Sequence, residues 1–257
     1  MGRTLSVAAR AWVVVFVAVA VVQLAAQAAD ADTVARVSQW ALMPALAGVV
    51  VTATRWPRGH LVAWVLVALG FSWLGDTLPA FVGEDASFLV MVAFFLIAQV
   101  AYIVAFAPEA RRSILHRRPV LLVPYAVALV ALVGVCAPGA DGMLVPVAVY
   151  GGCLAAMAVL STGLGRLAGV GGAVFLVSDA LIALDAFVPS WHLTGQDFWV
   201  MLTYVLGQGL IAAAVVGANV RQRRAPQDRV RTAAGGVPDN VVLLVRAGLS
   251  RPRVPVR

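Results

Sequence analysis

The chain has 257 residues, 62% of them hydrophobic and 12% charged, with a mean hydropathy of +0.93. Soluble domains are nearer half apolar and a quarter charged, so this composition excludes a water-soluble enzyme and points to an integral membrane protein whose core is shared with lipid. The net charge of +7 comes from nineteen basic residues, all of them arginine. They lie between hydrophobic runs and in the C-terminal tail rather than as a patch on one folded face, which argues against a nucleic-acid partner. Arginine without lysine, in a background of Ala, Val and Gly, is the usage of a GC-rich bacterial genome.

A spanning helix needs about 20 mostly apolar residues. Eight runs meet this: 11–28, 38–54, 61–81, 88–106, 119–136, 143–161, 168–187 and 199–218. The first, within "MGRTLSVAARAWVVVFVAVAVVQLAAQAAD", has the basic start of a signal peptide, but its apolar stretch is longer than a signal core and predicts the first spanning helix. The start "MGRTLS" also fits a myristoylation pattern, a eukaryotic modification at odds with the composition. Backbone groups in lipid must bond within their own segment, so these runs are helices, and the short connections make sequential helices antiparallel neighbours. The expected fold is all-α: a bundle of eight transmembrane helices over residues 1–218, followed by an Arg-rich, largely disordered tail over 219–257.

Arginine placement predicts orientation. Arg3, Arg10, Arg55, Arg58, Arg111, Arg112, Arg117, Arg118, Arg166 and the tail arginines from Arg221 to Arg257 share one side. The other side holds only Arg36, with Asp30, Asp32, Glu84, Asp85, Asp141 and Asp197. Both termini are therefore expected in the cytoplasm, and the chain is expected to be a multi-pass protein of the cell (inner) membrane. Cys136 and Cys153 form no disulfide framework and read as small packing residues. The glycines of "GLGRLAGVGG" at 163–172 follow no strand, so they suit close helix packing rather than a nucleotide loop.

Two carboxylates interrupt these runs: Asp76, closing "FSWLGD", and Asp179, closing "GAVFLVSD". An ionised side chain at the bilayer centre costs at least about 2.5–3.5 kcal/mol, so the pair marks a functional site. At about 1.5 Å per residue, Asp76 falls in the outer half of its run, Asp179 near mid-depth, Gln99 and Tyr102 from mid-depth inward, and Tyr204 and Gln208 in the outer half. Ser72 and Asp76, Phe95, Gln99 and Tyr102, Phe175 and Asp179, and Tyr204 and Gln208 each share a helix face. Asp76, Asp179, Gln99, Tyr102, Tyr204 and Gln208 can meet within one cavity. Ser178 neighbours Asp179 in sequence but sits about 100° around the helix, where it can also bond backbone. Asp185 reads as a solvated helix end. The three histidines, His60, His116 and His192, lie in loops or at helix ends, which argues against a His-ligated intramembrane metal, a Ser-His-Asp triad and Cys-His chemistry. No cofactor is called for.

The stretches "ALGFSWLGDTL", "AFFLIAQVAYIVAF", "GAVFLVSDALIAL" and "VMLTYVLGQGLI", in this order and spacing, resemble the lysoplasmalogenase (YhhN-like) family of multi-pass membrane proteins, with Gly75-Asp76 and Ser178-Asp179 as the specific pairs. The resemblance covers roughly the second to eighth runs. It implies hydrolysis of the vinyl ether bond of lysoplasmalogens to a fatty aldehyde and a glycerophospho-base, a lysophospholipid-like amphiphile as ligand, and Asp76 and Asp179 as catalytic carboxyls. The chain departs from the family pattern at Gln39-Trp40, where a Lys-Pro is frequent, and at Gln99, where a His is frequent.

Vinyl ether hydrolysis by protonation on carbon passes through an oxocarbenium ion. It asks for one carboxylic acid and one carboxylate, the division of labour seen in glycosidases. Asp76 and Asp179 are the expected pair, with Gln99, Tyr102, Ser178, Tyr204 and Gln208 around the substrate or its water. Which Asp is the acid stays open at this level. A non-catalytic lipid or amphiphile binder or carrier on the same fold is the alternative. A proton-coupled transporter is disfavoured, because the sequence has no inverted repeat and no paired broken helices.

Overall fold

The computed structural model describes residues 6–54, 56 and 58–235, and these divide into two compact units, one ending at Asn219 and one beginning at Val220. In chain order the helices are α1 (Val7–Ala28), α2 (Asp32–Ala53), α3 (His60–Thr77), α4 (Glu84–Phe106), the single turn α5 (Ile114–Arg117), α6 (Leu122–Cys136), α7 (Leu144–Ser161), α8 (Arg166–Phe187) and α9 (Gln196–Gly235). The described residues contain no strand. All but α5, some extended by 3-10 turns, are long and apolar enough to cross a membrane, and they coincide with the eight hydrophobic runs.

Boundaries shift where local chemistry intervenes. The run 61–81 splits at Thr77 into α3 and a 3-10 turn, Leu78–Phe81. Pro79 there cannot donate a backbone hydrogen bond and so ends the α-helical ladder. Ser6 caps α1, its Oγ accepting from Ala9 N at 3.1 Å, which satisfies one of the free N–H groups of the first turn. The backbone of α9 is helical to Gly235, past the end of the last hydrophobic run. The remainder of the expected disordered tail, from residue 236, lies outside the described residues.

The core is a contiguous set of buried side chains that includes Leu42, Leu69, Tyr102, Phe106, Phe175 and Ile211. Around it, Val14, Val21, Val127, Val130, Val145 and Val149 are exposed. So many bare aliphatic side chains would be a liability in water; in lipid they are the solvated surface. Both cysteines are free.

Small residues set the α8–α9 crossing. A Cβ on Gly207 would sit 2.9 Å from the Phe175 nitrogen, and one on Gly171 would sit 2.9 Å from the Gly207 oxygen. The backbones meet because neither residue has a side chain, the device that membrane helices use in place of a hydrophobic driving force. Ser178 then spans the crossing, its Oγ donating to Val200 O at 3.0 Å. Gly207→Val is therefore expected to destabilise the protein by about 1–3 kcal/mol through overpacking, read as a lower thermal midpoint in detergent. Gly134→Ala, whose Cβ meets nothing within 4 Å, is expected not to lower it.

Candidate functional site

The α8–α9 crossing presents Asp179 and Tyr204 to the bundle interior, and the end of α3 brings in Asp76. Gly75 allows this approach: a Cβ there would lie 2.8 Å from the Phe95 ring, so glycine lets α4 pack against the turn that carries Asp76. Phe95 in turn meets Tyr204 edge-on at 5.8 Å between ring centroids, and Phe175 meets the same Tyr204 at 5.6 Å. Two aromatic contacts thus fix the phenol that reaches Asp76.

The hydrogen bonds form two tiers, one helical turn apart. In the upper tier Asp76 is acceptor on both oxygens: Gln39 Nε2 donates to Oδ1 at 3.1 Å and Tyr204 OH donates to Oδ2 at 2.8 Å. Asp179 accepts on Oδ2 from Tyr150 OH at 2.5 Å, and its Oδ1 has no partner among the described residues. In the lower tier Tyr102 OH donates to Gln208 Oε1 at 2.5 Å, and Gln208 Nε2 donates to Ser72 Oγ at 3.3 Å. The i, i+4 spacings of Ser72–Asp76 and Tyr204–Gln208 stack one tier on the other. Neither carboxyl has a cationic partner among the described residues.

The predicted residues therefore converge, with different duties. Tyr204, Gln208 and Tyr102 spend their polar groups on Asp76 and on each other. Ser178 is 1% exposed and ties α8 to α9. Gln99 is fully buried within reach of the Tyr150 hydroxyl, and neither its amide nitrogen nor its amide oxygen makes a hydrogen bond of good geometry. It is the group with unspent polar capacity. Asp185 is exposed, as expected of a helix end. Sequence reasoning missed Tyr150 and placed no weight on Gln39 as a partner of Asp76. The available signal for Tyr150 was that it is the one hydrogen-bonding side chain in "LVPVAVYGG".

Asp179 and Tyr150 also supply the polar wall of a narrow apolar cleft of about 60 Å³ among α4, α6, α7 and α8, lined by Phe88, Met91, Phe95, Val147, Ile182 and Phe187. No group of three or more His, Cys, Asp or Glu able to hold a metal occurs among the described residues.

The sequence profile of the YhhN family matches residues 34–215, which takes in α2 to α8 and α9 as far as Val215, and with them every side chain of both tiers. The chain belongs to the YhhN family. Two curated proteins, from Mycobacterium bovis and Mycobacterium tuberculosis and both named lysoplasmalogenase, are similar to it. Each is 31% identical over 164 residues, covering 61% of this chain and 62% of the relative. The chain thus spans about three fifths of the length of the curated relatives it matches. No solved structure matches it.

Buried amides without partners cost about 1–3 kcal/mol, so the poorly bonded amide of Gln99 has a stability signature. Gln99→Met keeps the length and removes both unpaired groups. It is expected to raise the thermal midpoint while lowering any activity of the site. A lower midpoint would show that Gln99 is a structural side chain instead.

Proposed function

We propose that this YhhN-family membrane protein hydrolyses the vinyl ether bond of lysoplasmalogens, releasing a fatty aldehyde and a glycerophospho-base. The observation that carries the reading is the unequal pair. Asp76 has donors on both oxygens, whereas Asp179 has a donor on one oxygen only and lines an apolar cleft. The names of the two mycobacterial relatives support the substrate class.

In this reading the alkenyl chain lies along the apolar cleft, which brings the vinyl carbons to Asp179. Asp179 as the acid gives its proton to the chain carbon once removed from the ether oxygen. The C=C π pair forms the new C–H bond, and an oxygen lone pair delocalises to give the oxocarbenium ion. Water adds to the carbon bonded to oxygen, and Asp76, acceptor-only in its donor pair, stabilises the cation and takes the water's proton. The resulting hemiacetal breaks its C–O bond to the glycerol. Asp179, now a carboxylate, takes the hemiacetal hydroxyl proton, Asp76 returns its proton to the glycerol oxygen, and the aldehyde leaves with both carboxyls restored. The net change is addition of one water. Gln99 is the group assigned to the attacking water or the glycerol oxygen. No cofactor or metal enters the scheme.

A second reading, an amphiphile binder or carrier without turnover, is favoured by one observation: Gln39 puts a neutral amide on Asp76 where a cation would strengthen the charge. Aldehyde release from defined lysoplasmalogens by purified protein in detergent separates the two. Release supports the hydrolase; a folded protein that binds the lipid and releases none supports the carrier. The proposed setting is the cell (inner) membrane with both termini in the cytoplasm, from the arginine asymmetry.

A further inference from the structure

Helix α6 is poorly held by protein. Of its fifteen residues only Cys136 is buried. Besides the Asp179 cleft, two cavities lie between α6 and α8. One, of about 290 Å³, is a groove lined by apolar residues and glycine, among them Ala128, Leu132 and Val135 on α6, Leu154 on α7, and Leu176 and Ala180 on α8. The other, of about 660 Å³, opens at the end of the bundle formed by α5 and the start of α8, and is rimmed by Arg112, Arg117, Arg118 and Arg166, with Tyr125 and Ala173 deeper in. Arg112 pairs with Glu109 at 2.8 Å. Arg117, Arg118 and Arg166 have no carboxylate partner among the described residues.

We infer that this seam is the seat of one anionic phospholipid of the bilayer, its phosphate among the arginines and a hydrocarbon chain along the α6–α8 groove. The charge arrangement selects the occupant. A bare arginine fork is the side chain best shaped for phosphate, and an apolar groove directly beyond it excludes a purely polar anion as the whole ligand. The lengths agree. From Leu121 to Val135 the seam runs about 20 Å, enough for a chain that fills half of a hydrocarbon core about 30 Å thick. The positive-inside rule accounts for arginines on this side, but not for three unpaired ones converging on a cavity. The phosphate end of this site is distinct from the carboxyl pair: Arg166 and Asp179 are thirteen residues apart on α8, about 20 Å, far more than a glycerol backbone spans, while the groove shares Leu132, Gly151 and Leu154 with the Asp179 cleft. The inference does not depend on the hydrolase reading.

The test uses the full chain in mild detergent. Thermal midpoints and native mass spectra are recorded with dioleoyl phosphatidylglycerol, dioleoyl phosphatidylcholine or inorganic phosphate. Phosphatidylglycerol is expected to remain bound and raise the midpoint, and phosphatidylcholine to do so weakly. The triple variant Arg117→Gln, Arg118→Gln, Arg166→Gln is expected to bind phosphatidylglycerol about a hundredfold more weakly. A control triple, Arg111→Gln, Arg221→Gln, Arg223→Gln, is expected to keep it. Ala173→Trp, which fills the cavity beneath the rim, is expected to lose the lipid with the arginines intact. Equal binding of both lipids, equal loss in the control triple, or full protection by inorganic phosphate alone would each overturn the inference.

Discussion

Asp179→Asn is expected to lower aldehyde release from a lysoplasmalogen by about 10²–10⁴-fold, the range of a lost general acid, with the fold intact. The substitution is nearly isosteric. The amide oxygen can still accept from Tyr150, so the bond that now runs to Oδ2 at 2.5 Å survives. What vanishes is the transferable proton beside the cleft. A thermal midpoint close to that of the unsubstituted protein, together with the lost activity, separates chemistry from folding. Retention of more than about a tenth of the activity would assign the proton donor elsewhere, since a general acid contributes well beyond tenfold.

Asp76→Asn is expected to cost a similar factor by a different route. Its two oxygens accept from Gln39 and Tyr204. An asparagine has only one acceptor oxygen, so one partner must turn to accept from the new amide NH2, and the negative charge that the proposal sets against the oxocarbenium ion is gone. Because the proposed mechanism has the two carboxyls serve consecutive steps of one reaction, their losses are not expected to be independent. The double variant is expected to lie within about tenfold of the weaker single variant, rather than at the product of the two effects. Fully multiplicative losses, measured as kcat/KM, would mean that the residues do not form one catalytic unit.

The neutral surroundings of the pair give these tests their force. In a site where a cation held each carboxylate, an Asp→Asn change would strand a buried positive charge, and the loss would report on electrostatic damage. Here the partners are two phenols and an amide, so the variants leave neutral donors behind.

Much of this protein was legible in the chain itself. Eight apolar helices long enough to span a membrane, and two carboxyls within them, follow from hydropathy and spacing, because lipid makes each run satisfy its backbone within its own segment. The shared faces of Ser72 with Asp76 and of Tyr204 with Gln208 follow from helical periodicity alone, and both pairs appear in the two tiers. Partnership was not legible. Tyr150 meets Asp179 across 29 residues and Tyr204 meets Asp76 across 128, and a helical period says which residues share a face but not which helix that face meets. Ser178 turned to Val200 rather than to its own helix because Gly171 and Gly207 let the α8 and α9 backbones approach closely. The loose seam of α6 was equally hidden, since its hydropathy equals that of α4 while its burial differs sharply. Sequence determined which segments enter the membrane and which polar groups go with them, since those are properties of a segment and its solvent. Only the tertiary structure decided which carboxyl has a donor on one oxygen only, because that depends on how side chains from several helices divide their hydrogen bonds among themselves.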